Sequence, residues 1–125
     1  MMQDKVVRGI RGAITVDENT AQAIGAAAQE LVGAMLAVNN NLASEDIVSV
    51  LFTVTSDLNR AFPATAVREL AGFNLVPMMC ALEMDVPGSL RSCLRVLMLA
   101  NTCASQSEIK HVYLGHAAGL RPDLV

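Results

Sequence analysis

The chain has 125 residues, which is enough for one domain and no more. Its net charge of -3 at pH 7 excludes the basic surface that is typical of nucleic-acid-binding proteins. Hydrophobic residues make up 53% of the chain and charged residues only 17%, so a domain of this size must expose apolar side chains. Since large apolar patches usually mark contact sites, we predict that the chain forms a closed cyclic oligomer.

The first half of the chain predicts two strands and a long helix. Residues 5–16 are rich in β-branched side chains and predict a strand, in which Gly9 and Gly12 indicate a close backbone approach or a bulge. Residues 20–39 predict a helix, because apolar side chains recur there at spacings of three and four. Residues 47–55 form a nearly continuous apolar run, as expected of a strand covered on both faces.

The second half predicts a short helix followed by three strands. The helix occupies residues 64–71, directly after Pro63. The strands occupy residues 76–84, 93–101 and 111–114, and turns are expected at residues 85–89 and 105–108. The pattern therefore predicts an α+β domain in which a mixed β-sheet packs against one long helix and one short helix.

Several classes of site are not expected from the sequence. Three cysteines without a pairing pattern predict reduced thiols in a cytoplasmic protein. No charge-free apolar run reaches the ~18 residues of a membrane span, so no membrane segment is expected. His111 and His116 have no matching ligand cluster, and the glycines of residues 8–13 do not form a nucleotide-binding motif, so neither a metal nor a cofactor is expected.

Three charged residues, Arg11, Glu83 and Arg95, lie inside runs that are otherwise apolar. An ion is expensive to bury without a partner, so each of them needs a counter-charge or a solvated cleft. One interpretation is a structural ion pair between Glu83 and one arginine, with the other arginine at the surface. The other is a pocket with surplus positive charge, which would suit a ligand that carries more than one carboxylate and a hydroxyl.

An ordered set of short motifs runs along nearly the whole chain. The set comprises residues 7–13 (VRGIRGA), 57–58 (DL), 62–64 (FPA), 66–70 (AVREL), 76–77 (VP), Cys80, 83–86 (EMDV), 95–96 (RV), 111–114 (HVYL) and 120–124 (LRPDL). Together these resemble the monofunctional chorismate mutases of the Bacillus type, as distinct from the all-helical class. The resemblance implies that residues 1–125 form one chorismate mutase domain and assemble into a homotrimer around a pseudo-α/β barrel. It also implies the conversion of chorismate to prephenate in aromatic amino acid biosynthesis, in three clefts between neighbouring chains.

The resemblance also implies a set of site residues. One wall of the site would contain Arg11, Cys80, Glu83, Arg95 and Tyr113. The adjacent chain would contribute Phe62, Ala64 and Arg68, while Leu120 and Arg121 lie in a C-terminal segment that helps to close the site. Thr65 departs from the family, which often has a lysine there. Cys80 and Glu83 would point to opposite faces of a regular strand, so placing both in one pocket requires a strand end, a bulge or a backbone role for Cys80.

The implied reaction is an intramolecular Claisen rearrangement, which transfers no proton and needs no nucleophile. By the resemblance, Arg95 contacts the ether oxygen and one carboxylate, Arg11 a carboxylate, and Tyr113 the carboxylate region. Glu83 accepts a hydrogen bond from the ring hydroxyl with Cys80 nearby, and Arg68 and Arg121 attract the substrate or bind its outer carboxylate. Phe62, Ala64 and Leu120 form apolar wall. The alternatives are a trimeric hydrolase of reactive imines and a trimer that senses an aromatic-pathway acid, both of which the set of Arg11, Glu83 and Arg95 disfavours.

Overall fold

A computed structural model of the chain describes residues 4–120. The helices and strands follow in the order β1 (Val6–Thr15), α1 (Ala21–Val38), β2 (Ile47–Val54), α2 (Pro63–Val67), β3 (Met78–Leu82), β4 (Cys93–Thr102) and β5 (Val112–Leu114). Short 3-10 helices lie at Ser44–Asp46, Phe73–Leu75, Gln106–Glu108 and Gly115–Gly119. The predicted α+β class, with one long helix and one short helix, is confirmed.

The strands form one mixed sheet in the order β3-β2-β4-β1-β5. β4 is antiparallel to both β1 and β2, whereas β5 is parallel to β1 and β3 is parallel to β2. β1 and β4 pair without interruption from Val6 opposite Thr102 to Thr15 opposite Cys93. The bulge considered for residues 5–16 is therefore absent from β1, and the register of the two strands is fixed over their whole length.

One face of the sheet is buried beneath α1. Alternate side chains of the central strands, such as Ile10, Phe52 and Met98, are completely buried. The helix contributes a matching stripe of buried residues: Ile24, Ala28, Leu31, Val32 and Met35. Its first turn is capped by Thr20, whose hydroxyl accepts the N–H of Ala23 at 3.1 Å. Burying each large side chain of this stripe contributes about 1.5–3 kcal/mol, which makes this packing the main determinant of where α1 lies.

The close backbone approach predicted for β1 occurs at Gly12. A Cβ atom there would lie 2.5 Å from Sδ of Met35 and 3.1 Å from Cδ1 of Leu31, so a larger residue at this position would require these side chains of α1 to move. At Gly9 the nearest atoms would be 3.7 and 3.8 Å away, which is ordinary contact. The approach is therefore specific to the position at which α1 crosses β1.

The long helix α1 bears on the expectation that the chain has no membrane segment. The helix Ala21–Val38 is long and apolar enough to cross a membrane by length and composition, because Glu30 is its one charged residue. A core helix of a soluble domain passes the same test, and the buried stripe packs α1 onto the sheet.

The opposite face of the sheet is less covered: Leu51 is 38% exposed, Leu97 43% and Met79 72%. This second face provides the exposed apolar surface that the composition predicted.

Two predicted elements are shorter than expected, each for a local reason. The helix expected over residues 64–71 stops at Val67, and the chain then turns through Gly72, whose φ of 81° favours glycine. The strand expected over residues 76–84 begins at Met78, because Pro77 has no N–H to donate to the ladder. β3 therefore contributes Met78–Leu82 to the sheet, and Glu83 follows directly after its end.

Asp57 connects the end of β2 to the start of β4. Its carboxylate accepts hydrogen bonds from the Thr55 hydroxyl and from the N–H and hydroxyl of Ser92, the last two at 3.0 Å. Ser92 has a φ of 51°, a left-handed conformation that costs a residue other than glycine about 1 kcal/mol. The hydrogen bond from Thr55, followed by those from Ser92, outweighs burial and lowers the pKa of Asp57 below its usual range.

Asp57→Asn is expected to lower the free energy of unfolding by about 2 kcal/mol at pH 7, because the amide nitrogen then faces groups that donate. A carboxyl whose pKa is lowered by folding stabilises the fold above its unfolded pKa of about 4 and loses that contribution as pH falls through the folded value. The difference between variant and wild type should therefore shrink below about pH 4. Urea titrations at pH 7 and at acidic pH measure it, and an equal difference at both would contradict this account. Asp85→Asn, at an exposed ion pair with Arg91, is the control, with an expected change below about 0.5 kcal/mol.

Candidate active site

A cavity of about 310 Å³ opens on the second face of the sheet. That volume is at the lower end of the range for small-molecule sites. Its lining includes Arg11 and Arg95, Tyr113 of β5, and Leu120, which follows the 3-10 helix Gly115–Gly119. Four residues that were predicted from the sequence to line one site are thus brought together by the fold.

Strand register accounts for this convergence. Ala13 of β1 lies between Arg95 of β4 on one side and Tyr113 of β5 on the other. Arg11 is two residues before Ala13, and residues two apart along a strand project from the same face. The guanidinium groups and the phenol therefore come from three neighbouring strands, and the rigid sheet sets their spacing.

Glu83 lies beside Arg95 but is not one of the described residues that line this cavity. Its Oε2 is 3.5 Å from Nε of Arg95 and accepts the Thr53 hydroxyl at 2.8 Å. Its Oε1 accepts the N–H of Met84 at 3.1 Å. The Arg95 Nε atom is buried and makes no hydrogen bond, so its contact with Glu83 is an ion pair without hydrogen-bond alignment. The structural ion pair considered from the sequence is thus present, with a cavity next to it.

The charge of this face nevertheless remains positive. Within residues 4–120, the Arg11 guanidinium forms no ion pair, and Glu83 offsets only one of the two arginines. The side chain of Arg95 is 40% exposed in spite of its contact with Glu83. The cavity thus presents one uncompensated cation and one partly compensated cation, an arrangement that suits a ligand with more than one anionic group.

A second group of predicted residues lies elsewhere, around α2. Phe62, Ala64, Arg68 and Cys80 line a separate cavity of about 410 Å³. Pro63 begins α2 with a φ that suits the first helical turn, and Phe62, immediately before it, is 72% exposed. These four residues do not contact the cavity of Arg11 and Arg95 within one chain.

Cys80 differs from the prediction, which placed it on the wall of Arg11, Glu83, Arg95 and Tyr113. β3 is regular through Leu82, so its side chains alternate and residues three apart face opposite sides of the sheet. Cys80 therefore lines the cavity beside α2, whereas Glu83 lies next to Arg95. β3 contains no bulge, and although it ends between the two residues, as the sequence allowed, they do not share a cavity within one chain.

Thr65 and the C-terminal segment complete the predicted residues. The Thr65 hydroxyl, at the position where the family often has a lysine, accepts a hydrogen bond from Nη2 of Arg68 at 3.3 Å. The chain thus has a partner for Arg68 there instead of another cation. Buried Ala117 packs the 3-10 helix Gly115–Gly119 against Ala13 of β1, which brings Leu120 to the cavity. Arg121 lies outside the described residues.

Thr53 is a cavity residue that was missed from the sequence. It lies in the apolar run of β2, opposite Arg95 on β4, and its hydroxyl contacts Glu83. A hydroxyl within a buried-strand pattern is a weak signal, because threonine is common in strands. The register that places it beside Arg95 joins residues 42 positions apart and is not visible in the sequence.

Known proteins of one family match this chain over almost its whole length. Residues 7–124 match the family model for "Chorismate mutase type I". The chain is 51% identical over 119 residues to Chorismate mutase AroH of Thermus thermophilus, across 95% of this chain and 97% of that protein. It is 44% identical over 119 residues to Chorismate mutase AroH of Bacillus subtilis strain 168, across 95% and 93%. A solved chorismate mutase from Clostridium thermocellum superposes with a TM-score of 0.86 at 49% identity, covering 89% of this chain and 97% of that one. The chain therefore belongs to the type I chorismate mutase family.

Proposed function

We propose that the chain converts chorismate to prephenate at sites shared between the chains of a homotrimer. Family membership supports the reaction. The observation that carries the shared site is that the two groups of predicted residues lie on opposite faces of one sheet. We define the cationic group as Arg11, Glu83, Arg95, Tyr113 and Leu120, and the α2 group as Phe62, Ala64, Arg68 and Cys80.

The exposure of both groups supports a site between chains. The cationic cavity opens beside the exposed side chains of Leu51 and Leu97, and Phe62 of the α2 group projects largely into solvent. A neighbouring chain that covers the first group with its own α2 group would bury both surfaces. In a cyclic trimer this contact repeats three times and closes, giving three equivalent sites around the pseudo-barrel.

The reaction gives these residues two tasks. The ether C–O bond of the substrate breaks while a C–C bond forms within the same molecule, and no proton is transferred. The first task is to hold the flexible dicarboxylate in its compact conformation, which contributes several kcal/mol when the alignment is good. The second is to place positive charge where the ether oxygen gains electron density, and one preorganised donor there contributes ~3–4 kcal/mol. An acceleration of ~10⁶ needs about 8 kcal/mol, so both tasks are required.

We assign these residues the roles that the resemblance implies, and the charges of the two groups support the assignment. Arg95 contacts the ether oxygen and one carboxylate, and Arg11 binds a carboxylate. The hydroxyl of Tyr113 donates a hydrogen bond to the carboxylate region. Glu83 accepts the ring hydroxyl of the substrate. From the neighbouring chain, Arg68 binds the outer carboxylate, while Phe62, Ala64 and Cys80 form the opposite wall. Leu120 supplies apolar wall, and Arg121 keeps its predicted role at the outer carboxylate.

The remaining features of the proposal follow from the sequence. Residues 1–125 act as one catalytic domain, no cofactor or metal takes part, and no nucleic acid or membrane is a partner. The unpaired cysteine pattern and the biosynthetic role both favour the cytoplasm.

Purified protein is expected to consume chorismate and release prephenate with saturable kinetics, in buffer that contains a metal chelator. Loss of the chorismate absorbance follows the substrate, and proton NMR of the mixture identifies the product. Heat-denatured protein is the control for the spontaneous rearrangement. Saturable binding of chorismate without formation of prephenate would contradict the proposed reaction.

A further inference from the structure

We propose that Thr53 is a positioning residue of the active site, because its hydroxyl fixes the Glu83 carboxylate next to Arg95. The inference rests on the proposed function and deepens it. It adds a side chain of β2 to a site whose other cationic-group residues come from β1, β4, β5 and the segments that follow β3 and the last 3-10 helix. Thr53 acts through Glu83 and is not assigned a contact with the substrate.

The geometry places Thr53 between the carboxylate and the cavity. Its Oγ1 donates a hydrogen bond to Oε2 of Glu83 at 2.8 Å, and this Oε2 atom lies 3.5 Å from Nε of Arg95. Thr53 and Arg95 are direct partners across β2 and β4, and both line the cavity. One carboxylate oxygen is therefore shared between a hydroxyl donor and the cation that is assigned to the ether oxygen.

The other contacts of Glu83 leave the orientation of this oxygen to Thr53. The backbone N–H of Glu83 donates to the carbonyl of Val54 at 2.9 Å, and its Oε1 accepts the N–H of Met84. The Met84 N–H holds one carboxylate oxygen and the Thr53 hydroxyl holds the other, so loss of the Thr53 hydroxyl leaves a single hydrogen bond to resist rotation of the carboxylate. Because Nε of Arg95 makes no hydrogen bond, the hydroxyl of Thr53 is the donor that the structure shows on Oε2 within residues 4–120.

The consequence concerns the orientation of Arg95. A carboxylate fixed beside Nε attracts the guanidinium on the side away from the cavity. The terminal nitrogens of Arg95 are then left to face the cavity. If the carboxylate rotated toward the cavity, it would compete with the anionic substrate for those nitrogens and repel its carboxylates. Misalignment of this kind affects the rearrangement step more than the binding of substrate, because the ether oxygen becomes negative only in the transition state.

Thr53→Val is expected to lower kcat about tenfold with KM changed less than about twofold, because it keeps the shape of the side chain and removes one hydrogen bond to a charged group. Thr53→Ser keeps the hydroxyl and should restore kcat to within about threefold of wild type. Thr53→Ala is measured in parallel, so that a folding defect in one variant does not remove the test. Circular dichroism and light scattering establish that each variant retains its fold and assembly.

A double-mutant cycle separates positioning from a structural role. In a Glu83→Ala background the Thr53 hydroxyl has no carboxylate to fix, so Thr53→Val should then lower kcat by less than about twofold. Thr102→Val is the control, because it removes a hydroxyl that accepts the N–H of Ala104 at the far end of β4, and kcat should not change. Equal losses in both backgrounds, or normal kcat in Thr53→Val, would overturn the inference. Absence of turnover in the wild type would instead overturn the proposed function.

Discussion

Replacing Arg95 with Ala is expected to lower kcat by more than about a hundredfold while the oligomer persists, because one preorganised donor at a developing negative charge is removed. Arg95 is half-buried, and its neighbours in β4, Leu94 and Val96, carry the packing, so the fold should tolerate the change. The loss should fall on kcat, since the ether oxygen needs the cation mainly in the transition state. Steady-state kinetics with chorismate measure it.

Replacing Arg95 with citrulline tests the same role while preserving the shape of the side chain. It keeps the planar head group but removes its charge, so a loss as large as that of Arg95→Ala would assign the effect to charge rather than to cavity shape. Arg91→Ala is the matched control, because Arg91 precedes the same strand and, within residues 4–120, pairs with the exposed Asp85. Its kcat should stay within about twofold of wild type. Near-normal turnover in Arg95→Ala, with assembly intact, would reject the assigned role.

The elements of the fold were predictable because hydrophobic periodicity is a local signal. The stripe from Ile24 to Met35 marks α1, and the apolar run at residues 47–55 marks β2. Element ends were less predictable, since they depend on single residues and tertiary contacts. Pro77 shortens β3, and Ser44, which packs where a Cβ at Gly72 would lie, requires glycine at the turn after α2.

The candidate site was predictable in its members but not in its arrangement. Arg11, Glu83 and Arg95 were visible because charge inside an apolar run needs a physical reason. The resemblance added Cys80 to their wall, whereas the alternation of a regular strand places it on the other side of the sheet. Thr53 was missed because its importance depends on the register of β2 against β4, which residues distant in the chain determine together.

The family match decides between the three functions left open by the sequence. An imine hydrolase and a ligand sensor would both accept an interface arginine, so Arg95 alone does not distinguish them from a mutase. The match over residues 7–124, together with relatives at 51% and 44% identity, makes the chain a chorismate mutase. What the match does not decide is how the two faces of the sheet cooperate, and this is where mixed oligomers are informative.

Arg68→Ala and Arg95→Ala are each expected to be poorly active, yet to regain activity when their chains are mixed within one oligomer. If each site takes Arg95 from one chain and Arg68 from the next, about one third of the sites are fully wild type in every trimer that contains both variants. Co-expression of the two variants with different affinity tags, followed by sequential purification on both tags, yields the mixed oligomers. Activity at low substrate concentration measures kcat/KM for wild-type sites.

The separation of the cationic group from the α2 group by the sheet makes this result decisive. The sheet separates Cys80 and the α2 residues from the cavity of Arg11 and Arg95, so a single chain has no route by which Arg68 could replace a missing partner on the other face. Mixing the two purified variants without exchange of chains should give no recovery, and light scattering should report three chains in each preparation. Mixed oligomers that carry both tags but remain as inactive as the single variants would place the whole site within one chain, and the shared cleft would have to be abandoned.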